Sequence, residues 1–260
     1  MSAPFDLFGK RALITGAADA IGRACARNLA SRGACVIVAD GNAEAVECTA
    51  DEVGGEAWVL DASNTGALES ITLGVDILIN NAGTRHRPAG AERGLLDFQR
   101  LIRTMMEIPY LLVRAALPQM RKHRWGRIIN ISADDQRQPQ SFSTGFVSVA
   151  HGMEGLTTAV AREQAGYGVT CNCIHPTSVR HPQQTLFDLD VDDDDMHSDS
   201  GTVQSTVHTS HAETIASLVG QLIAPDQADP VNGTTYTVAV HGAPLPHELV
   251  AWGRAEQTLG

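Results

Sequence analysis

Short apolar runs alternate with helical patterns along most of the chain, and these runs define the predicted sheet. They are nearly continuous instead of alternating with polar residues, which is typical of strands that are covered on both faces. Seven strands are predicted, over residues 11–15, 34–40, 56–62, 75–83, 126–132, 168–176 and 234–240.

The segments between these strands carry apolar residues at helical spacing. They predict helices over residues 20–33, 42–55, 65–74, 95–123, 141–165 and 211–223. Pro109 is expected to kink the fourth of these helices. Repeated β-α-β units imply parallel strands with right-handed crossovers. The sequence therefore predicts an α/β fold, a single doubly wound Rossmann-type domain over residues 1–260, whose mostly parallel seven-stranded sheet has helices on both faces.

Residues 177–210 interrupt this alternation, because they are polar and show no periodicity. We expect them to form a lid loop over a substrate site. The acidic run from Asp188 to Asp195, with His197 beyond it, raises the alternative of a metal site. Adjacent aspartates rarely converge on one ion without a turn glycine, and no EF-hand pattern is present. A solvated, mobile lid is the favoured interpretation, and no metal site is predicted.

Composition excludes several classes of protein. Hydrophobic residues make up 43% of the chain and charged residues 19%, as in a soluble globular protein. There is no run of about 18 apolar residues and no signal-peptide pattern, so we expect a cytoplasmic protein. The formal net charge of −11 argues against nucleic acid or an anionic membrane as a partner.

The cysteines form no CxxC pair, so buried thiols are favoured over a metal site or a disulfide. The five cysteines are Cys25, Cys35, Cys48, Cys171 and Cys173.

A glycine-rich stretch, "TGAADAIG", follows the first strand and begins the first helix. Gly16 permits a tight turn, Gly22 permits close helix–strand packing, and the helix N-terminus offers N–H groups to a pyrophosphate. Asp40 ends the second strand, 18 residues beyond Gly22. A carboxylate there accepts hydrogen bonds from ribose hydroxyls and repels a 2′-phosphate, which favours NAD(H) over NADP(H). The alternative is a strand-to-helix connection that binds nothing.

With these motifs, the chain resembles the short-chain dehydrogenase/reductase family over nearly its whole length. The turn matches the family's TGxxx[AG]xG motif, "NNAG" at residues 80–83 matches the motif after its fourth strand, and Asp61 matches an aspartate that contacts adenine. Asp19 departs from the family pattern and adds a second carboxylate near Asp40. The resemblance implies cofactor contacts from Gly16, Asp19, Ala20, Ile21, Gly22, Asp40, Asp61, Ala62, Asn81, Ala82, Gly83, Ile131, Pro176 and Val179.

The same resemblance implies a catalytic asparagine, serine, tyrosine and lysine for hydride transfer. In the register set by "NIS" and "GLT", these positions hold Met105, Ala133, Phe146 and Ala150. No tyrosine or lysine lies between residues 123 and 166, so a shift of the helix cannot restore the pair. Tyr167 follows the helix and is expected to point elsewhere. Ser132 or Ser143 could supply a hydroxyl but no base.

These replacements predict a protein that binds NAD(H) without the family's standard chemistry, as a sensor, a scaffold or the inactive partner in an oligomer. An alternative is altered chemistry in the same cleft, by an oxidoreductase, isomerase, dehydratase or lyase that uses Asp134, His86 or His181. Arg85 and Arg87 could then hold an anionic ligand. These rim residues are otherwise solvated loop residues.

An ordinary dehydrogenase is the third possibility that the sequence leaves open. For assembly, the resemblance implies a homo-dimer or homo-tetramer through the two long helices, or a hetero-oligomer with an active paralogue.

Overall fold

A computed structural model describes residues 7–61, 65–81, 95–132, 144–178, 201–224 and 230–240 of the chain. Seven strands within these residues form one sheet in the order β3-β2-β1-β4-β5-β6-β7, and every pair of neighbours is parallel. The strands are β1 Arg11–Thr15, β2 Cys35–Asp40, β3 Glu56–Val59, β4 Ile77–Asn80, β5 Gly126–Ile131, β6 Val169–Ser178 and β7 Thr235–Val240. The predicted doubly wound sheet is confirmed.

Helices connect the strands and cover the sheet. They are α1 Ala20–Ser31, α2 Ala43–Val53, α3 Gly66–Glu69, α4 Leu95–Ile102, α5 Ile108–His123, α6 Thr144–Gln164 and α7 Gly201–Leu222. Two core layers result, one between the sheet and α1, α2 and α7, the other between the sheet and α5 and α6. Strand β4 shows why its sequence is continuously apolar, because Ile77 and Ile79 enter the first layer and Leu78 enters the second. None of the described helices is long and apolar enough to span a bilayer.

The helix predicted over residues 95–123 is interrupted before Pro109. Residues Arg103–Glu107 form a π-helical segment, and the Ile108 N–H donates to the carbonyl of Arg103, five residues earlier. Pro109 has no N–H, and its ring cannot approach the carbonyl of Met105, four residues earlier, as an α-helix requires. The disturbance that we predicted at Pro109 therefore takes the form of this π segment, which holds Met105.

Helix α7 corrects the predicted extent of the lid. It begins at Gly201, whereas the sequence predicted a helix from residue 211 and a loop before it. The second half of α7 is anchored against α1 by buried Ala212, Ile215 and Val219. Once a helix is nucleated, each further residue adds one hydrogen bond, so the helix extends into a segment without apolar periodicity. Residues 179–200, which hold the acidic run, lie outside the described residues.

The cysteine prediction is correct for three residues and wrong for two. All five are free thiols within the described residues, and Cys25, Cys171 and Cys173 are buried. Cys35 and Cys48 are exposed, because Cys35 is the first residue of β2 and Cys48 lies on the outer face of α2.

Candidate cofactor and active site

The turn between β1 and α1 depends on two glycines at points of close backbone approach. Gly16 has a φ of +64°, and a Cβ there would overlap the backbone carbonyl of Asn81 at the end of β4. A Cβ on Gly22 would overlap the carbonyl of Gly16 and lie 2.9 Å from the Cα of Ala17. The cradle that these glycines leave at the start of α1 is the geometry that a dinucleotide pyrophosphate requires.

Asp19 caps the first turn of α1. The Gly22 N–H donates to Asp19 Oδ1 at 2.8 Å, and Asn81 Nδ2 donates to both carboxylate oxygens at 3.1 Å. The same Asn81 amide donates to the Gly16 carbonyl at 3.2 Å. Asp19 and Asn81 therefore join the glycine-rich turn to the end of β4, and the N–H groups of Ala20 and Ile21 belong to the same helical turn.

Asp40 holds the other side of this turn. Its Oδ2 accepts from the Ala18 N–H at 3.1 Å, and its Oδ1 accepts from the Asn42 N–H at 3.0 Å. An ionised carboxylate has about four acceptor positions, so further hydrogen bonds from ribose hydroxyls remain open to it. The two glycines and Asp40 thus fit a dinucleotide, with Asp40 on the adenosine side, whereas the Asp19 carboxylate already accepts from the Gly22 N–H at the start of α1.

The remaining predicted cofactor contacts are more scattered. Ile131 ends β5 and is buried, Pro176 lies in β6, and Asp61 is exposed just beyond β3. Ala62, Ala82, Gly83 and Val179 lie outside the described residues.

Two of the replaced catalytic positions pack into one apolar cluster. Met105 is 3% exposed and forms this cluster with Leu101 and Val149, and Phe146 packs against it. Ala150, one turn after Phe146 on α6, is also buried. Of the other candidates, Ala133, His86, Asp134, His181 and Ser143 lie outside the described residues, as do Arg85 and Arg87. Tyr167 lies in a short 3-10 turn after α6, under the guanidinium of Arg121.

Buried polar side chains form a hydrogen-bonded ladder across the sheet. Asn80 Nδ2 donates to Asn130 Oδ1 at 2.8 Å, and Asn130 Nδ2 donates to Thr157 Oγ1 at 2.9 Å. The same amide lies 3.5 Å from Cys171 Sγ. Burial raises the pKa of the Cys171 thiol to about 12, so that it stays protonated. The ladder ties β4, β5, β6 and α6 together.

The motifs in the sequence did not predict a second polar group in this half of the site. His175 Nε2 lies 2.8 Å from Glu154 Oε1, which joins β6 to α6. The alternation in β6 places His175 on the same face as Cys171 and Cys173, and Glu154 follows Ala150 by one helical turn. These two periodicities are the only sequence signals that could have paired them.

The parallel seven-stranded sheet and the glycine-rich β1–α1 turn define a Rossmann-type fold. The model of the short chain dehydrogenase family matches residues 10–188. The chain belongs to the short-chain dehydrogenase/reductase family, a family of oxidoreductases that bind nicotinamide dinucleotides.

Named relatives agree with this assignment. The chain is 35% identical over 179 residues to the uncharacterized oxidoreductase YxjF of Bacillus subtilis, covering 64% of this chain and 69% of the relative. It is 33% identical over 187 residues to a D-β-hydroxybutyrate dehydrogenase of Rhizobium meliloti, covering 66% of this chain and 72% of the relative.

A solved structure from Agrobacterium tumefaciens, described as a candidate 2-deoxy-D-gluconate 3-dehydrogenase with bound NADP, has a TM-score of 0.69 and 27% identity. The similarity covers 93% of this chain and 98% of that chain. Its NADP lends no support to the preference for NAD(H) expected for this chain, which stays a prediction.

Proposed function

We propose that this chain binds NAD(H) at the carboxyl edge of the sheet without performing the family's standard hydride transfer. The observation that carries the proposal is the apolar cluster around Met105, against which Phe146 packs. Positions that the resemblance assigns to a proton-relay asparagine and an acid/base tyrosine are filled by apolar side chains, which exchange no proton. Ala150 supplies no charge at the lysine position.

The expected loss of reaction rate is large enough to support the proposal. Positioned acid/base catalysis is worth typically ~10²–10⁴-fold in rate, which corresponds to about 3–5 kcal/mol of activation free energy. A phenyl ring cannot donate a proton and an alanine cannot tune one. A sensor, a scaffold or the inactive partner of an oligomer needs none of this chemistry, and each of these roles is compatible with an intact cofactor half.

The chain's own residues would hold the cofactor as follows. The first turn of α1, with Gly16 and Gly22, would receive the pyrophosphate, and Asp40 would accept hydrogen bonds from the adenosine ribose. Asp61, Asn81 and Pro176 would line the rest of the cleft. When bound, a nicotinamide dinucleotide supplies or accepts a hydride.

Preference for NAD(H) follows from the carboxylate of Asp40, because a 2′-phosphate on the ribose would meet its negative charge. By calorimetric titration, we expect NADH to bind at least about tenfold more tightly than NADPH, a difference of ~1.4 kcal/mol. Asp40→Asn is expected to narrow this ratio, because it removes the charge.

The control is Asp51→Asn, which neutralises an exposed carboxylate on α2 and should leave the ratio unchanged. Thermal unfolding of both variants checks that losing one acceptor of the Ala18 or Asn42 N–H has not unfolded the turn. Equal or tighter binding of NADPH by the wild-type protein contradicts the preference.

Assembly into a homo-dimer or homo-tetramer is part of the proposal. Large apolar side chains are exposed on α4 and α5, namely Leu95, Leu96, Phe98 and Tyr110, which are between 43% and 71% exposed in the isolated chain. An oligomer would cover them.

We expect light scattering to show that the wild-type protein is at least a dimer. The double substitution Leu95→Glu with Leu96→Glu is expected to shift the protein toward the monomer. A monomeric wild-type protein would contradict this part of the proposal. A hetero-oligomer with an active paralogue would use the same surface.

Free thiols support the cytoplasm as the compartment. Cys35 and Cys48 are exposed and unpaired in disulfides, and reducing compartments keep such thiols reduced.

An enzyme of altered chemistry in the same cleft is the second candidate. The His175–Glu154 pair favours it, because it is an acid/base group in the catalytic half. The other roles in this alternative stay predictions. They are catalysis by Asp134, His86 or His181 and the binding of an anionic ligand by Arg85 and Arg87. Turnover of ketones or secondary alcohols by the wild-type protein separates the two candidates.

A further inference from the structure

The pair of His175 and Glu154 combines a buried imidazole with a route to solvent. His175 is 2% exposed, and its Nε2 lies 2.8 Å from Glu154 Oε1. The Glu154 side chain is 40% exposed. A proton on the imidazole can therefore pass to a carboxylate that water reaches, although water does not reach the imidazole directly.

The pair lies close to Ala150, one of the replaced catalytic positions. Glu154 follows Ala150 by four residues on α6, so both side chains lie along the same side of the helix. The register of β5 and β6 aligns Ile131 with Ile174, and the Ser132 N–H donates to the Ile174 carbonyl, which places Ser132 beside His175. Ser132 Oγ is buried and has no hydrogen-bond partner among the described residues, which is rare for a buried hydroxyl.

Glu154 is a charged group that faces His175 from α6. Cys173, two residues earlier on β6, has its Sγ 3.9 Å from His175 Nε2. Burial, with added repulsion from Glu154, raises the pKa of the Cys173 thiol, which keeps it neutral. The neighbouring strands bring Ser132 from β5 and Thr237 from β7, and both are uncharged.

The strand order places the pair on the nicotinamide side of the proposed cofactor. The glycine-rich turn after β1 and Asp40 at the end of β2 fix the pyrophosphate and adenosine on one side of the β1–β4 switch point. The other half of a dinucleotide then extends over β4 and β5 toward β6. His175 lies near the carboxyl end of β6, immediately before Pro176.

We propose that His175 and Glu154, with the Ser132 hydroxyl beside them, form a proton-exchange site that responds to the oxidation state of a bound nicotinamide. The oxidised ring carries a positive charge, which disfavours a second positive charge on the imidazole. The proton then leaves His175 through Glu154 to solvent, and no other bond forms or breaks. The reduced ring is neutral and leaves the proton in place. This inference rests on the proposed binding of NAD(H).

Calorimetric titration with NAD⁺ and with NADH, each in two buffers of different ionisation enthalpy, measures this coupling. Over a series of pH values between about 5 and 8, we expect NAD⁺ to release on the order of 0.3–0.5 proton more than NADH at the pH of the largest difference. Comparing the two ligands cancels the contribution of their shared phosphates. His175→Gln is expected to abolish the difference, and Glu154→Gln to reduce it by at least half.

Matched controls exist on the same helix. His151→Gln removes an exposed histidine that bonds its own helix, and Glu163→Gln removes an exposed glutamate. Both should keep the wild-type difference. If His175→Gln does not fold, Glu154→Gln is used for the test instead. The Glu154 side chain is half-exposed, so this substitution is not expected to unfold the protein.

The outcomes separate this inference from the proposed function. Binding of both dinucleotides with equal proton release overturns the inference alone, as does an unchanged difference in His175→Gln or Glu154→Gln. If neither dinucleotide binds, the proposed function fails and the inference fails with it. A difference that disappears with His175 and Glu154 but survives both controls supports it.

Discussion

Phe146→Tyr combined with Ala150→Lys is expected to create NADH-dependent reduction of small ketones, at a rate about 10²-fold or more above the wild-type protein. The two positions are one helical turn apart on α6, so the new phenol and ammonium would lie on one face of the helix. Adding Met105→Asn and Ala133→Ser is expected to raise the rate further. The measurement is the loss of NADH absorbance with a panel of ketones.

A matched control places the same two residues at the same spacing on the exposed face of α6, as His151→Tyr with Gly155→Lys. It should have wild-type rates. Because Ala150 is buried, a lysine there costs packing free energy, so NADH binding and thermal unfolding must show that the variant is folded. A folded double variant that binds NADH and gains no activity would show that residues other than these two limit the chemistry.

Gly16→Ala is expected to abolish dinucleotide binding and to lower the free energy of unfolding by ~2–4 kcal/mol. A left-handed conformation costs an alanine roughly 1–2 kcal/mol, and its Cβ would also overlap the carbonyl of Asn81. Relief of this overlap moves the turn away from β4 and distorts the pyrophosphate cradle. Chemical denaturation and NADH titration measure the two effects.

Gly54→Ala is the matched control for this prediction. Gly54 has the same φ of +64° at the end of α2, but a Cβ there meets no atom within 4 Å. It should lose only the conformational part, about 1 kcal/mol, and keep NADH binding. Equal losses of stability in the two variants, or unchanged NADH affinity in Gly16→Ala, would contradict the role given to this close approach.

Periodicity was enough to predict the sheet. Each buried strand is a continuous apolar run between helical patterns, and strands such as β4 are apolar because both of their faces are covered. The start of α7 was not predicted, because an apolar pattern is missing there. Its first half carries no apolar periodicity and is extended from the buried half around Ile215. Exposed Cys48 shows that residue type alone does not fix which face of a helix a side chain occupies.

In the candidate site, too, the sequence predicts some residues and misses others. Motif spacing identified Gly16, Gly22 and Asp40, because local backbone geometry requires these residues at these positions. The hydrogen bonds between Asp19 and Asn81 join segments 62 residues apart, and the His175–Glu154 pair joins segments 21 residues apart. No local pattern signals these two contacts, because the first depends on how α1 packs beside the end of β4 and the second on how α6 packs against β6.

The central claim is that the chain binds NADH and does not perform the family's standard reaction. The most direct test is a turnover measurement on the purified wild-type protein, at an NADH concentration that a fluorescence titration has shown to saturate it, with a panel of ketones and, in reverse, secondary alcohols with NAD⁺. We expect saturable NADH binding with a rate at least about 10²-fold below the usual 1–10³ s⁻¹ of enzymes. Turnover within that usual range would contradict the claim.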